Sequence, residues 1–169
     1  MRKIILTLAF LLITVLGFSQ NKAKTKINEP TKLETEQWIS ENISSFAMKG
    51  KGHSYDLYFN DGILLIKHIS VISIPSFTST VKADYFIPIK EISKVRFETL
   101  DDAVLLKFVL KNNAKVKAKY ETDNYFTYDD DFRIVLSNAF QNDDMINRMT
   151  KAFNNLIKFN GGTVVKNTY

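Results

Sequence analysis

The sequence predicts an α+β fold, an antiparallel bent sheet or incomplete barrel of about seven strands set between an N-terminal helix and a closing C-terminal helix. Three observations predict it. Apolar residues recur at helical spacing from Thr31 to about Phe46, alternate with polar residues in short turn-bounded runs between Ser54 and Leu136, and return to helical spacing from near Asn142 to Gly161-Gly162.

The first helix follows a polar leader, residues 20–30, that is rich in lysine and closed by Pro30. Thr31 and Glu34 have the spacing of a capping box, which satisfies orphan amides at a helix start and contributes on the order of 1 kcal/mol. Leu33, Trp38, Ile39, Ile43 and Phe46 form its apolar stripe, with Trp38 as a packing anchor against the sheet. Tyr55, Leu57 and Phe59 then alternate with Asp56 and Tyr58, Asn60-Asp61-Gly62 reverses the chain, and Ile63 to Ser70 completes a hairpin. Pro75 predicts a break or bend between Ser70 and Ser79, because proline cannot donate to a central ladder. Val81, Ala83, Tyr85, Ile87 and Ile89 share one face of a further strand, which Pro88 ends or places at an edge.

Val95 and Phe97 mark a short strand, and Val104, Leu106, Phe108 and Leu110 a stronger one after the Asp101-Asp102 turn. Beyond a tight turn at Lys111-Asn112-Asn113, the residues Ala114, Val116, Ala118 and Tyr120 face inward while Lys115, Lys117 and Lys119 face outward. Glu121 to Asp131 reads as loop and Arg133 to Leu136 as a last strand. The C-terminal helix carries Ile146, Met149, Phe153, Leu156 and Ile157 on one stripe, with Asn142 or Asp143 as cap and Gly161-Gly162 as terminator. The fold is thus one domain over residues 31–162, followed by a frayed tail, 163–169.

The opening of the chain has the layout of a secretory signal peptide over residues 1–19: basic Arg2-Lys3, an apolar run from Ile4 to Leu16, and small Gly17 and Ser19 before a cut that leaves Gln20 as N-terminus. That run is shorter than the roughly 20 residues of a spanning helix, which makes a retained anchor the second choice. Export to the periplasm or the exterior follows. The chain has no cysteine, so neither a lipid-modified cysteine nor a disulfide can form, and the domain must rest on its core. About 150 mature residues suffice for that. The formal charge of +5 loses Arg2 and Lys3 with the signal, leaving a modest excess that is compatible with an anionic partner, while export argues against nucleic acid.

The order helix, antiparallel hairpins, amphipathic helix resembles the pleckstrin-homology-like superfold, in which two bent sheets form an incomplete barrel plugged by the last helix. The segment Tyr85-Phe86-Ile87-Pro88-Ile89-Lys90-Glu91-Ile92-Ser93-Lys94-Val95 is similar in character to membrane-associated domains of that class. Glu34, Thr35, Trp38 and Ile39, together with Arg148 to Ile157 and Gly161-Gly162, resemble small exported proteins of unknown function from Gram-negative bacteria. The likeness covers Thr31 to Gly162 and implies an architecture, since such domains host lipid binding, peptide binding and scaffolding alike.

No residue set carries nucleophilic or metal chemistry on its spacing. No serine lies in a Gly-x-Ser-x-Gly turn, and His53 and His68 are the only histidines, with His68 among core-like neighbours. Asp123, Asp129, Asp130 and Asp131 lack the ligand order of a calcium loop, and zinc has less support still. Two features remain as binding candidates. Lys115, Lys117 and Lys119 form a basic ridge, which serves either an anionic glycan, lipid headgroup or acidic protein, or simply guards a strand edge against aggregation. Tyr125, Phe126 and Tyr128, with Phe132, can stack on a sugar or peptide, or fold back over a barrel mouth. The sequence therefore predicts a non-catalytic binding or scaffold domain without catalytic residues, metal or cofactor. The alternative is a small-ligand carrier or enzyme using a barrel mouth near Glu121 to Phe132.

Overall fold

A computed structural model describes residues 29–165 apart from Asp143. The stretch read as a signal peptide, most of that read as a leader and the last four residues of the tail lie outside the described residues. Helix α1 (Lys32–Phe46) begins at Thr31 with both halves of the capping box made: the Thr31 hydroxyl accepts from the Glu34 N–H, and the Glu34 carboxylate accepts from the Thr31 N–H at 2.7 Å. The same hydrogen bonds hold the Glu34 carboxyl below its usual range. Ile39 and Ile43 are fully buried and Trp38 and Phe46 partly so, whereas Leu33 is exposed on the side that faces away from the core.

Eight antiparallel strands follow, in two sheets that do not close into a barrel. They are β1 (His53–Asn60), β2 (Ile63–Ile74), β3 (Phe77–Pro88), β4 (Ile92–Thr99), β5 (Ala103–Leu110), β6 (Val116–Tyr120), β7 (Thr127–Asp129) and β8 (Arg133–Ser137). The larger sheet has the order β1-β2-β3-β6-β7 and the smaller β4-β5-β8. The β4–β5 hairpin is thus inserted between two neighbours of the first sheet, and β8 returns past β6 and β7 to pair with β5. This interleaving ties the two sheets together.

Side chains of both sheets point into a common core, among them Leu64, Ile66, Ile87, Leu106, Ile134 and Leu136, none of which is exposed to solvent. Helix α2 (Met145–Phe159) lays Met149, Phe153, Leu156 and Ile157 into it, and Phe153 meets Phe108 edge to face at 5.4 Å. Each helix also packs on the other and on a strand, α1 on β1 and α2 on β4. Arg148 lies 5.3 Å over the Trp38 ring, closing their seam with a cation–π contact.

Several expectations are corrected. The described residues form eight strands where about seven were expected, because β7 forms inside the stretch read as loop: its three residues pair with Val116, Lys117 and Ala118. Too short to show a period, it is held only by its neighbour. Pro75 does not interrupt a strand. It sits in the two-residue turn Pro75-Ser76, so β2 and β3 run four residues past Ser70 and Val81 into one long hairpin. Ala114 lies outside β6 and is exposed. The cap of α2 is Asp144, in the left-handed conformation (φ 58°) and without a side-chain cap bond, in place of Asn142. The tail does not fray at once: Val164 packs on the core and the Val165 N–H donates to the Ser93 carbonyl at 3.2 Å.

Candidate functional site

Alternation in β6 buries Val116 and Ala118 and sends Lys117 and Lys119 to the outer face of the larger sheet. Phe126 folds onto that face, where it meets Phe86 of β3 edge to face at 5.6 Å. The Lys117 ammonium stands 3.8 Å from the Phe126 ring centroid, and that of Lys119 lies 5.9 Å away. Tyr125 and Tyr128 beside it are 66% and 67% exposed. The two sequence candidates, basic ridge and aromatic loop, are therefore one surface. Lys115 departs from it, drawn to Asp130 at 3.2 Å, which holds the Asp130 carboxyl below its ordinary range. The edge-guard reading of the ridge loses its premise as well. β6 is hydrogen-bonded on both sides, to β3 and β7, and β7 is the edge.

The outer face continues as a register-matched row of opposite charges, Asp56 on β1, Lys67 on β2, Asp84 on β3 and Lys119 on β6. Such cross-strand pairs each contribute a few tenths of a kcal/mol, ~0.2–1 at most. This row borders a cleft of about 480 Å³ whose wall also includes Lys82, Glu121 and Asp123. His68 is among the lining residues, but its ring lies on the opposite side of the sheet, stacked on Tyr55 with centroids 4.6 Å apart.

On that inner side the Nδ1 of His53 and the Nε2 of His68 are 3.2 Å apart, so one ring donates and the other accepts. Burial, and secondarily the proximity of His53, push His68 down to about 4; burial alone lowers His53. Both rings are neutral near pH 7, and a base that weak is ill-suited to proton abstraction there. The stack runs on through Tyr85 to Phe132, whose rings are 3.8 Å apart. Burial drives the Tyr55 hydroxyl up to about 12, partly offset by the Val135 N–H that it accepts at 3.0 Å, and likewise raises Tyr85. These are packing groups. Of the loop aromatics only Phe132 turns inward; Tyr125, Phe126 and Tyr128 do not cover the interior.

The loop carboxylates do not converge. Asp131 accepts from Lys107 at 2.7 Å and from Arg133, which hold its carboxyl below the usual range, while Asp129 accepts the Asp131 N–H. Among the described residues no three His, Cys, Asp or Glu side chains are grouped to hold a metal, and no helix is long and apolar enough to cross a membrane.

Sequence reasoning missed Phe86, although its place between buried Tyr85 and Ile87 already turned it outward. It also missed the histidine pair. The signal was there, since the Asp61-Gly62 turn fixes the register that sets Tyr55 opposite His68 and His53 opposite Ser70. No protein family, curated protein or solved structure matches the chain.

Proposed function

We propose that this chain is an exported, non-catalytic binding or scaffold domain whose contact surface is the lysine–aromatic face around Phe126. The observation that carries the reading is Lys117 and Lys119 converging on the partly exposed ring of Phe126, with exposed Tyr125 and Tyr128 beside it and the lysines and Tyr128 held on paired strands. Aromatic faces stack on sugar or peptide planes while ammonium groups meet carboxylates or sulfates, so the fitting ligand is anionic, such as an acidic glycan or an acidic envelope protein. A pleckstrin-homology-like architecture is the companion proposal, supported by the two sheets and the packed C-terminal helix; the eighth strand and the interleaved order stand apart from that resemblance.

The test is retention on immobilised acidic and neutral polysaccharides, alongside affinity capture from envelope extract. Specific capture that weakens with salt and is lost in Lys117→Glu/Lys119→Glu and in Phe126→Ala supports the reading. Recovery of nothing above background, or capture untouched by those variants, overturns it. Export is checked separately, by fractionation and by N-terminal sequencing for a start at Gln20. A small-ligand carrier is the second reading, and the cleft beside Glu121 favours it. With the His68 ring turned to the other face, that cleft offers ion pairing and carboxylates but no imidazole.

A further inference from the structure

The β2–β3 hairpin outruns its neighbours. Beyond Ser70 the β1 side holds β2 only through the Val71 N–H, which donates to the Gly52 carbonyl, and beyond Ala83 the β6 side holds β3 only through the Glu121 N–H, which donates to the Lys82 carbonyl, so Ile72–Ile74 and Phe77–Val81 form a two-stranded ribbon standing roughly 10 Å beyond the core. From Ile69 to Val81 there is no ionisable side chain. The face that is buried lower down continues as Ile72, Ile74 and Phe77, which are 53%, 54% and 59% exposed, with Val81; the other face adds partly exposed Ile69 and Val71.

The chemistry narrows what covers this ribbon. Its principal apolar face amounts to roughly 400 Å², within the range of the largest patch on a monomer and well short of the ~800 Å² per partner of a stable protein interface. Apolar groups on both faces suit a surrounding apolar medium better than a one-sided groove. At the tip Pro75 has no N–H, and the Ser73 and Thr78 hydroxyls bond each other at 3.0 Å, which limits the polar groups carried into that medium. Around the root Lys51 pairs with Asp102 and Lys82 with Glu121 at 3.1 Å, so both of these lysines have an acidic partner beside the ribbon. We infer that the β2–β3 ribbon is a membrane-insertion finger, whose Ile74-Pro75-Ser76-Phe77 tip enters the interfacial zone of an uncharged bilayer surface. Depth is limited to about 5–10 Å, because the free strand edges above Ser73 and Thr78 must keep water or headgroups as hydrogen-bond partners.

The test uses the full chain with Phe77→Trp, compared with wild type, whose one tryptophan is Trp38 in α1. The apolar N-terminal stretch is common to both. With zwitterionic phosphatidylcholine vesicles, the emission of the introduced indole should shift to the blue and be quenched by shallowly brominated lipid, while the wild-type emission stays fixed. Ile72→Trp places the probe just behind the tip and should report the same shift. Adding Ile74→Asp/Phe77→Asp to that variant, with circular dichroism reporting an intact fold, should abolish the shift and lower vesicle affinity by at least about tenfold. Adding anionic lipid should change affinity little. No shift with any vesicle overturns the inference. So does binding that requires anionic lipid and ignores the tip substitutions, or self-association without lipid that those substitutions remove.

Discussion

The two halves of the β2–β3 hairpin carry similar apolar residues on one shared face and differ in the fate of that face. Near Gly62 the shared face reads Leu64, Ile66, Tyr85 and Ile87, all buried; past Ser70 the same face reads Ile72, Ile74, Phe77 and Val81, all exposed. Alternation assigns a side chain to a face. Whether the face is covered depends on what lies across from it, and the second sheet and the helices stop short of the ribbon. An isolated two-stranded hairpin is marginal in water, so the upper half is held by continuity with the lower.

The sharpest test of this contrast is a matched pair on one strand. Ile66→Ala should cost about 2–5 kcal/mol in urea unfolding, whereas Ile72→Ala should stay within about 0.5 kcal/mol. Equal effects would show that the ribbon is covered within the monomer. Gly52 marks the point where β2 leaves its partner: its φ is +83°, its carbonyl accepts the Val71 N–H at 2.9 Å, and a Cβ there would sit 2.2 Å from the Val71 carbonyl oxygen. Gly52→Ala should therefore cost on the order of 2 kcal/mol and raise amide exchange of Val71 to Ile74.

A smaller effect is expected from pH, because the histidine pair sits at the same junction. His68 is pushed from 6.5 down to about 4, so the unfolded chain binds more protons than the native one across that interval. Stability from this ring is complete above about pH 6.5 and is lost as pH falls towards 4. After discounting for the solvent that reaches the ring, the loss should be about 1 kcal/mol, seen as a falling Tm that His68→Phe flattens. Away from the hairpin, Thr31→Ala should cost about 1 kcal/mol by removing the α1 cap, with no change at the ribbon. A loss that spread to the ribbon would tie its order to the helix layer.

Much of the fold was legible because strong local signals agree with the final packing. The Thr31/Glu34 box, the Asp61-Gly62 turn, the alternation of β5 and the stripe of α2 each satisfy backbone groups or bury one face on their own terms. The misreadings fall where a residue has two readings locally. Pro75 is equally at home in a break and in a hairpin turn, and β7 exists only because β6 offers it an edge. The candidate site was legible as two lists of residues, Lys115, Lys117 and Lys119 and Tyr125, Phe126 and Tyr128, and not as a place. Their meeting at Phe126, and the departure of Lys115 to Asp130, required the β6–β7 register.

By itself the amino-acid order determined both helices and most of the strands, which side of each is apolar, and where most turns fall, since these follow from backbone sterics and from periods of 3.6 and 2 within a few neighbouring residues. Tertiary structure alone decided the interleaving of β4–β5 between β3 and β6, the sorting of strands into two open sheets, and the exposure of the hairpin tip. Those outcomes depend on contacts between residues far apart in the chain, and no local pattern records which distant surface will come to rest against a given face.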